Sequence, residues 1–299
     1  MTIESATLNR VDLLGSYWTI AGQAYPHTDR EYSSFDFRDR VEALSKTGFK
    51  GMGIWDADLD HTLLKYSLSE MKQILDDNGI EYLELEFLRD WFLDGEEKRQ
   101  SDLQKIKLLQ ASEALDATHV KVGDFEQKVT PMSKLIDSFA SLCSEAENYG
   151  ARIGFELMPF SMINTLEDTM TMLEGADAKN GGVIIDLWHM VKMGIPASRV
   201  AAIPPRFLIS VEINDGYIEA PEGIDFVTET TCHRMFCGDG EMNVDGYVEE
   251  LWASGYRGPI GIEVLSAEAR EWPLERIVTY AFETTMAPFE KLFQKSAQD

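Results

Sequence analysis

The sequence predicts a single-domain α/β protein, a (β/α)8 barrel, and three observations carry that expectation. Eight short apolar runs recur along 299 residues, separated by longer amphipathic stretches. Most of the runs are apolar without clean alternation, as parallel strands buried on both faces require. Glycine follows most of the helical stretches, where a left-handed residue ends a helix. The length is just above the roughly 250 residues usual for this barrel. A doubly wound open sheet competes, but the turn after the first strand reads GSYWTIAG and carries no G-x-G-x-x-G.

In chain order, the first strand is VDLL at 11–14, and the helical stretch 35–47 after it meets a stop at Gly48. The second strand, GMGI at 51–54, leads to a helix at 68–78 that Gly79 ends. The third, YLELEF at 82–87, precedes the long uninterrupted helix 98–115. The fourth, HVKV at 119–122, precedes helix 132–149, stopped by Gly150. The fifth, IGFEL at 153–157, precedes helix 166–173, with Gly175 as its stop. The sixth is GVIID at 182–186 and the seventh LISVEI at 208–213. A long irregular stretch, 215–243, follows the seventh, and loops of that length are usually lids or binding loops. Helix 244–254 ends at Gly255, the eighth strand is IGIEV at 260–264, and helix 274–292 closes the barrel with Pro288 bending it.

The charge balance narrows the function. Against 52 Asp and Glu stand 27 Lys and Arg, a net charge of −25. Nucleic acid and anionic membrane surfaces both call for clustered cations, so neither is expected as a partner. A small-molecule substrate is. Cys143, Cys232 and Cys237 are too few for a disulfide framework, and the Cys232/Cys237 pair lacks companion zinc ligands. The N-terminus MTIESATLNRVDLLG has no basic region followed by an apolar one, and no run approaches the roughly 18 apolar residues of a membrane span. A cytoplasmic protein with free thiols is expected.

In such a barrel the active site lies at the C-terminal ends of the strands. Glu156 sits within the fifth strand, Asp186 ends the sixth, Glu212 lies in the seventh and Glu263 in the eighth. A carboxylate inside an apolar strand is costly unless paired, protonated or metal-bound. Four that converge would repel one another, and a divalent cation resolves the conflict. The competing reading pairs some of them with Arg or Lys at the barrel rim. Carboxylates with one imidazole suit Mn2+ or Mg2+, and also take Co2+ or Zn2+. Lys121, in HVKVG, points either inward to a substrate oxygen or outward to solvent. Glu84 and Glu86 share one face of LELEF, and Glu86, nearer the C-terminal end, is the one expected to reach the site. Trp55, Trp188 and Trp18 are either an apolar wall against a sugar face or core packing.

The series FELMP, IIDLWH, VEIND and GIEV, with HRMFCGDGEMN between the last two, resembles the xylose-isomerase-like TIM-barrel superfamily. That superfamily includes sugar epimerases of the tagatose-epimerase type, inosose dehydratase and endonuclease IV. The resemblance implies a single divalent ion held by Glu156, Asp186, Glu212 and Glu263. Glu212 stands where many relatives have His, which either favours a harder ion or leaves the ion with fewer protein ligands. The resemblance also implies proton transfer by Glu156 and Glu263. Substrate contacts follow from the same comparison: His189, three residues after Asp186, and Arg234, whose fork grips an oxygen bidentately. His233 beside it is a further contact or a surface residue.

Such a centre acidifies the C–H between two oxygens of a hydroxy-ketone through an enediolate. Returning the proton to the opposite face is epimerisation, and returning it to the neighbouring carbon is isomerisation. A metal-dependent sugar isomerase or epimerase is therefore expected. A lyase on the same scaffold is the alternative, either an inosose-type dehydratase or a subunit that cleaves 3-keto-C-glycosides with a partner subunit. A homo-oligomer is compatible with either. Five histidines so placed do not fit the His-rich zinc site of endonuclease IV.

Overall fold

In the computed structural model, which describes residues 10–296, eight parallel strands close into a barrel in which β1 pairs with both β2 and β8. The N-terminal reading above falls largely on residues 1–9, outside the described residues. The first half runs β1 (Leu13–Gly15), α1 (Tyr17–Ile20), α2 (Phe37–Thr47), β2 (Gly51–Trp55), α3 (Asp56–Leu63), α4 (Leu68–Asp77), β3 (Tyr82–Leu88), α5 (Gly95–Leu115) and β4 (His119–Val122). The second half runs α6 (Met132–Glu147), β5 (Ile153–Glu156), α7 (Leu166–Ala176), β6 (Gly181–Asp186), α8 (Leu187–Lys192) and α9 (Ala197–Ala201). It continues with β7 (Leu208–Ile213), α10 (Phe226–Cys232), α11 (Val244–Ala253), β8 (Ile260–Ile262) and α12 (Leu274–Ser296). The strands are buried almost throughout, which is why their sequences read as apolar runs. The main core lies between them and the helices, where residues such as Val41, Leu108, Phe139 and Phe289 are fully covered.

Local chemistry sets the helix ends. Asp36 and Thr165 accept from backbone N–H groups at the starts of α2 and α7, and Ser67 with Glu70 forms a capping box on α4. Gly48 stops α2 at φ 113°. Gly175 does not stop a helix, contrary to expectation. A Cβ there would meet the Ile136 side chain at 2.7 Å, so this glycine lets α7 approach α6. Asp177, left-handed at φ 46°, makes the stop instead. The stretch 215–243 is not wholly irregular, because it contains α10. Helix α12 continues through Pro288 to Ser296, its inner face of Ile277, Ala281 and Phe289 buried against the barrel. Among the described residues, no helix is long and apolar enough to cross a membrane.

One buried ion pair ties the N-terminal loop to the barrel wall. Arg40 Nη2 lies 2.7 Å from Asp58 Oδ2, both residues 1% exposed, and Asp58 Oδ1 accepts from Ser33 N–H. Asp58→Asn keeps the shape but leaves the guanidinium without a counter-charge. The variant is expected to lose about 3–5 kcal/mol of stability, the cost of removing one partner from a buried ion pair. Urea unfolding midpoints at unchanged slope measure it.

Candidate active site

Six buried carboxyl groups converge inside the C-terminal end of the barrel: Glu84 and Glu86 from β3, Glu156 from β5, Asp186 from β6, Glu212 from β7 and Glu263 just past β8. The register sets Asp186 beside Glu212 and Glu212 beside Gly261. Two glycines make the space. A Cβ at Gly53 would meet Glu86 Oε1 at 2.7 Å, and one at Gly261 would meet Glu212 Cγ at 2.7 Å. The absence of two side chains is therefore what admits two of the acids.

Two buried cations are threaded among them. Lys121 points inward from β4, and its Nζ lies 2.9 and 3.0 Å from the two Glu212 oxygens. The same nitrogen is 3.4 Å from Glu86, 3.5 Å from Glu84, 3.5 Å from Glu263 and 4.0 Å from Glu156. Burial opposes its charge, but the surrounding carboxylates hold its pKa well above the ordinary lysine value. Ser16 Oγ donates to Glu212 Oε1 at 2.7 Å, which completes that residue's partners. Arg234 Nη1 donates to Glu263 Oε2 at 2.8 Å and lies 3.4 Å from Asp186 Oδ2, while its Nε donates to the Thr230 carbonyl of α10. The competing reading, in which Arg or Lys partners the acids, is thus met by Lys121 and Arg234, within the barrel rather than at its rim.

The environments separate the acids. Burial raises Glu156 to about 7 despite the pull of Lys121. Burial also works against ionisation of Glu263, yet Lys121 and Arg234 outweigh it and hold that carboxyl below its ordinary range. Glu84 is brought down to about 2 against its burial by Lys121 and by the 2.6 Å contact with His119 Nε2. Glu86 goes the other way: burial raises it well above the ordinary value. Burial lowers His189 to about 3, so its imidazole is neutral.

Lys121 and Arg234 hold Glu84 and Glu263 ionised, while burial raises Glu86, Glu156, Asp186 and Glu212; a divalent ion would favour the ionised form of these four as well. Two sets of donors fit one. Glu156, His189 and Glu263 offer atoms within 4.8 Å of one another, and so do Asp186, Glu212 and Glu263. Oxygen donors with one neutral imidazole are the chemistry such an ion takes. The first set lines the pocket; Asp186, Glu212 and Lys121 lie beneath it.

That pocket encloses about 870 Å3 including its open mouth. Of the residues anticipated from sequence, Trp55, Glu86, Glu156, His189, Arg234 and Glu263 line it, and Trp18 joins them. Trp188 instead packs beneath His189 in the core. His233 does not reach the pocket. It is the C-cap of α10, and its backbone bridges to Ser266. Sequence reasoning missed Ser16, Asn214 and the phenylalanines Phe87, Phe125, Phe160 and Phe226, though not Trp18 and Trp55. Asn214 Nδ2 donates to Asp186 Oδ2 at 2.8 Å and to the Glu263 carbonyl, which fixes both acids, and its place directly after an acid-bearing strand was the available signal.

A family model described as a xylose isomerase-like TIM barrel matches residues 41–283. The 3-dehydroshikimate dehydratase of Pseudomonas aeruginosa is 26% identical over 240 residues, covering 79% of this chain. The chain spans only 37% of that protein's length. The inosose isomerase of Halalkalibacterium halodurans is 24% identical over 264 residues, 85% of this chain and 91% of that protein. Among solved structures, the IolI protein with a bound zinc atom superposes with a TM-score of 0.80 at 18% identity, covering 94% of this chain and 99% of that one. Both named relatives are enzymes. With four-fifths of its length matched and all eight strands in place, this chain belongs to the xylose isomerase-like TIM-barrel family.

Proposed function

We propose that this chain is a divalent-metal-dependent isomerase or epimerase acting on a keto-sugar or polyol ketone. The observation that carries the reading is geometric: Glu156 and Glu263 face one pocket, where with His189 they offer donor atoms within 4.8 Å of one another. The ion would be held by Glu156, Asp186, Glu212 and Glu263 with His189 beside them. Lys121 and Ser16 already engage Glu212, so its share is the smallest. The zinc in the IolI structure supports a metal here, and the oxygen-rich donors favour Mn2+ or Mg2+ over Zn2+ or Co2+. When bound, the ion supplies Lewis acidity to two adjacent substrate oxygens.

The chain's own residues do the rest. Glu156 faces the pocket from the end of β5, placed to take a proton from a substrate carbon and to return it. It removes the proton from the carbon beside the carbonyl. Arg234, fixed and dehydrated in the pocket lining, stabilises the negative charge that develops on the enediolate, whereas Lys121 lies beneath the pocket and acts on the acids instead. Neutral His189 positions a hydroxyl. Glu263, ionised at rest, takes up a proton from solvent, and its delivery to the opposite face inverts the carbon, whereas return of the abstracted proton from Glu156 to the neighbouring carbon moves the carbonyl. Elimination is the second reading. Glu86, kept protonated by burial, lines the pocket and is an acid able to protonate a leaving hydroxyl, and the dehydratase relatives favour it.

The deciding experiment incubates Mn2+-loaded protein with a panel of keto-hexoses and inososes in D2O and follows them by NMR. Deuterium at one carbon of an isomeric product is expected, and it disappears after chelation. Loss of water without an isomer moves the protein to the dehydratase reading. No exchange with any substrate, together with no bound metal, overturns both.

A further inference from the structure

The wall of the pocket has a different chemistry from its floor. Six aromatic rings form a continuous arc around the cavity, each from a different part of the chain: Trp18, Trp55, Phe87, Phe125, Phe160 and Phe226. Neighbouring ring centroids along the arc are 5.0, 5.9, 4.8, 6.0 and 6.1 Å apart. The Trp55–Phe87 and Phe87–Phe125 pairs are near parallel, at 28° and 29°. The strands and loops after β1, β2, β3, β4, β5 and β7 thus each contribute one ring.

A free sugar carries a hydroxyl on nearly every carbon, and each one removed from water needs a partner. The floor offers such partners in Glu86, Glu156, His189, Arg234 and Glu263. The arc does not. Of the polar residues beside it, Glu31 is taken up by Trp55 Nε1 at 3.2 Å and by the His27 N–H at 2.7 Å, Thr230 accepts from Arg234 and Thr231 donates to the Val227 carbonyl, which leaves the His27 and Arg89 side chains. A hydroxylated ring pressed against the arc would lose hydrogen bonds. A flat apolar group would gain contact with several rings at once. The arc and the floor line one and the same pocket, so a single ligand can touch both.

We propose that the substrate has two parts, a hydroxylated ketone ring on the carboxylate floor and an attached aromatic group held by the arc. This rests on the reading of the floor as a keto-polyol site, and it names what such a substrate carries beyond the reacting ring.

The test compares phenyl and methyl β-D-glucopyranoside, neither of which reacts, by calorimetry with the Mn2+-loaded protein. The phenyl glycoside is expected to bind about tenfold tighter, the worth of one or two aromatic contacts. In Phe125→Ala, a half-buried loop position, that advantage should collapse while methyl glycoside affinity stays unchanged. Phe160→Ala repeats the measurement from another loop, and unchanged melting temperatures confirm that both variants fold. Equal affinities in the parent protein, an advantage that survives both substitutions, or no heat from either glycoside at millimolar concentration overturns the proposal. Binding is read without turnover. A protein that prefers the phenyl glycoside but exchanges no deuterium therefore keeps this inference and loses the isomerase reading, and the reverse outcome separates them equally.

Discussion

Glu156→Gln is expected to lower turnover by about two to four orders of magnitude, the range general acid–base catalysis contributes. The amide has the shape of the carboxyl but cannot take or return a proton. Bound metal should fall with it, because an uncharged oxygen replaces a charged donor among hard ligands. Folding should not suffer. Glu156 has Lys121 no nearer than 4.0 Å, and its charge repels Glu263 and Glu84, so the melting temperature is expected to hold or rise. Three readouts check this together: deuterium incorporation, metal content after gel filtration, and calorimetric melting. Retained exchange in a well-folded variant would remove Glu156 from proton transfer.

Lys121→Met is expected to have the opposite profile, with stability as the first casualty. One ammonium serves Glu84, Glu86, Glu156, Glu212 and Glu263 from the middle of the barrel. Removing one partner from a buried ion pair costs about 3–5 kcal/mol, because the remaining charge is left uncompensated. Here several carboxylates lose their partner at once, and the loss is expected at the upper end of that range. Glu212→Gln in the same chain should restore part of it, since Glu212 makes the two shortest contacts to Lys121. Urea unfolding of the parent, both single variants and the double variant gives the coupling directly. Additive effects would show that Lys121 and Glu212 do not act as a pair.

The barrel was legible because its strands are buried on both faces and its longer helices carry caps. Every strand fell within a few residues of its apolar run. The helices that went unseen, α1, α3, α8, α9 and α10, run from four to eight residues, too short for a helical period to declare itself. Gly175 misled because a glycine that admits a neighbouring helix looks like a glycine that ends one. At the site, the four acids of strands five to eight stood out as charges in apolar surroundings. What neutralises them did not: Lys121 is 91 residues from Glu212, and only closure of the barrel brings them together. The aromatic arc was hidden for a related reason. Its rings come from six separate segments, and one aromatic residue at a time reads as core.

Gly53 and Gly261 carry a consequence for how such a centre can arise. A Cβ at Gly261 would overlap the Glu212 side chain, and one at Gly53 would overlap both Glu86 Oε1 and the backbone nitrogen of Tyr17. Along a path of single substitutions, the void therefore has to come before the charge: glycine first, glutamate second. The step back is closed as well, because once the acid is in place the glycine can no longer drift. Two positions with no chemistry of their own thus act as a ratchet on the barrel's ancestry.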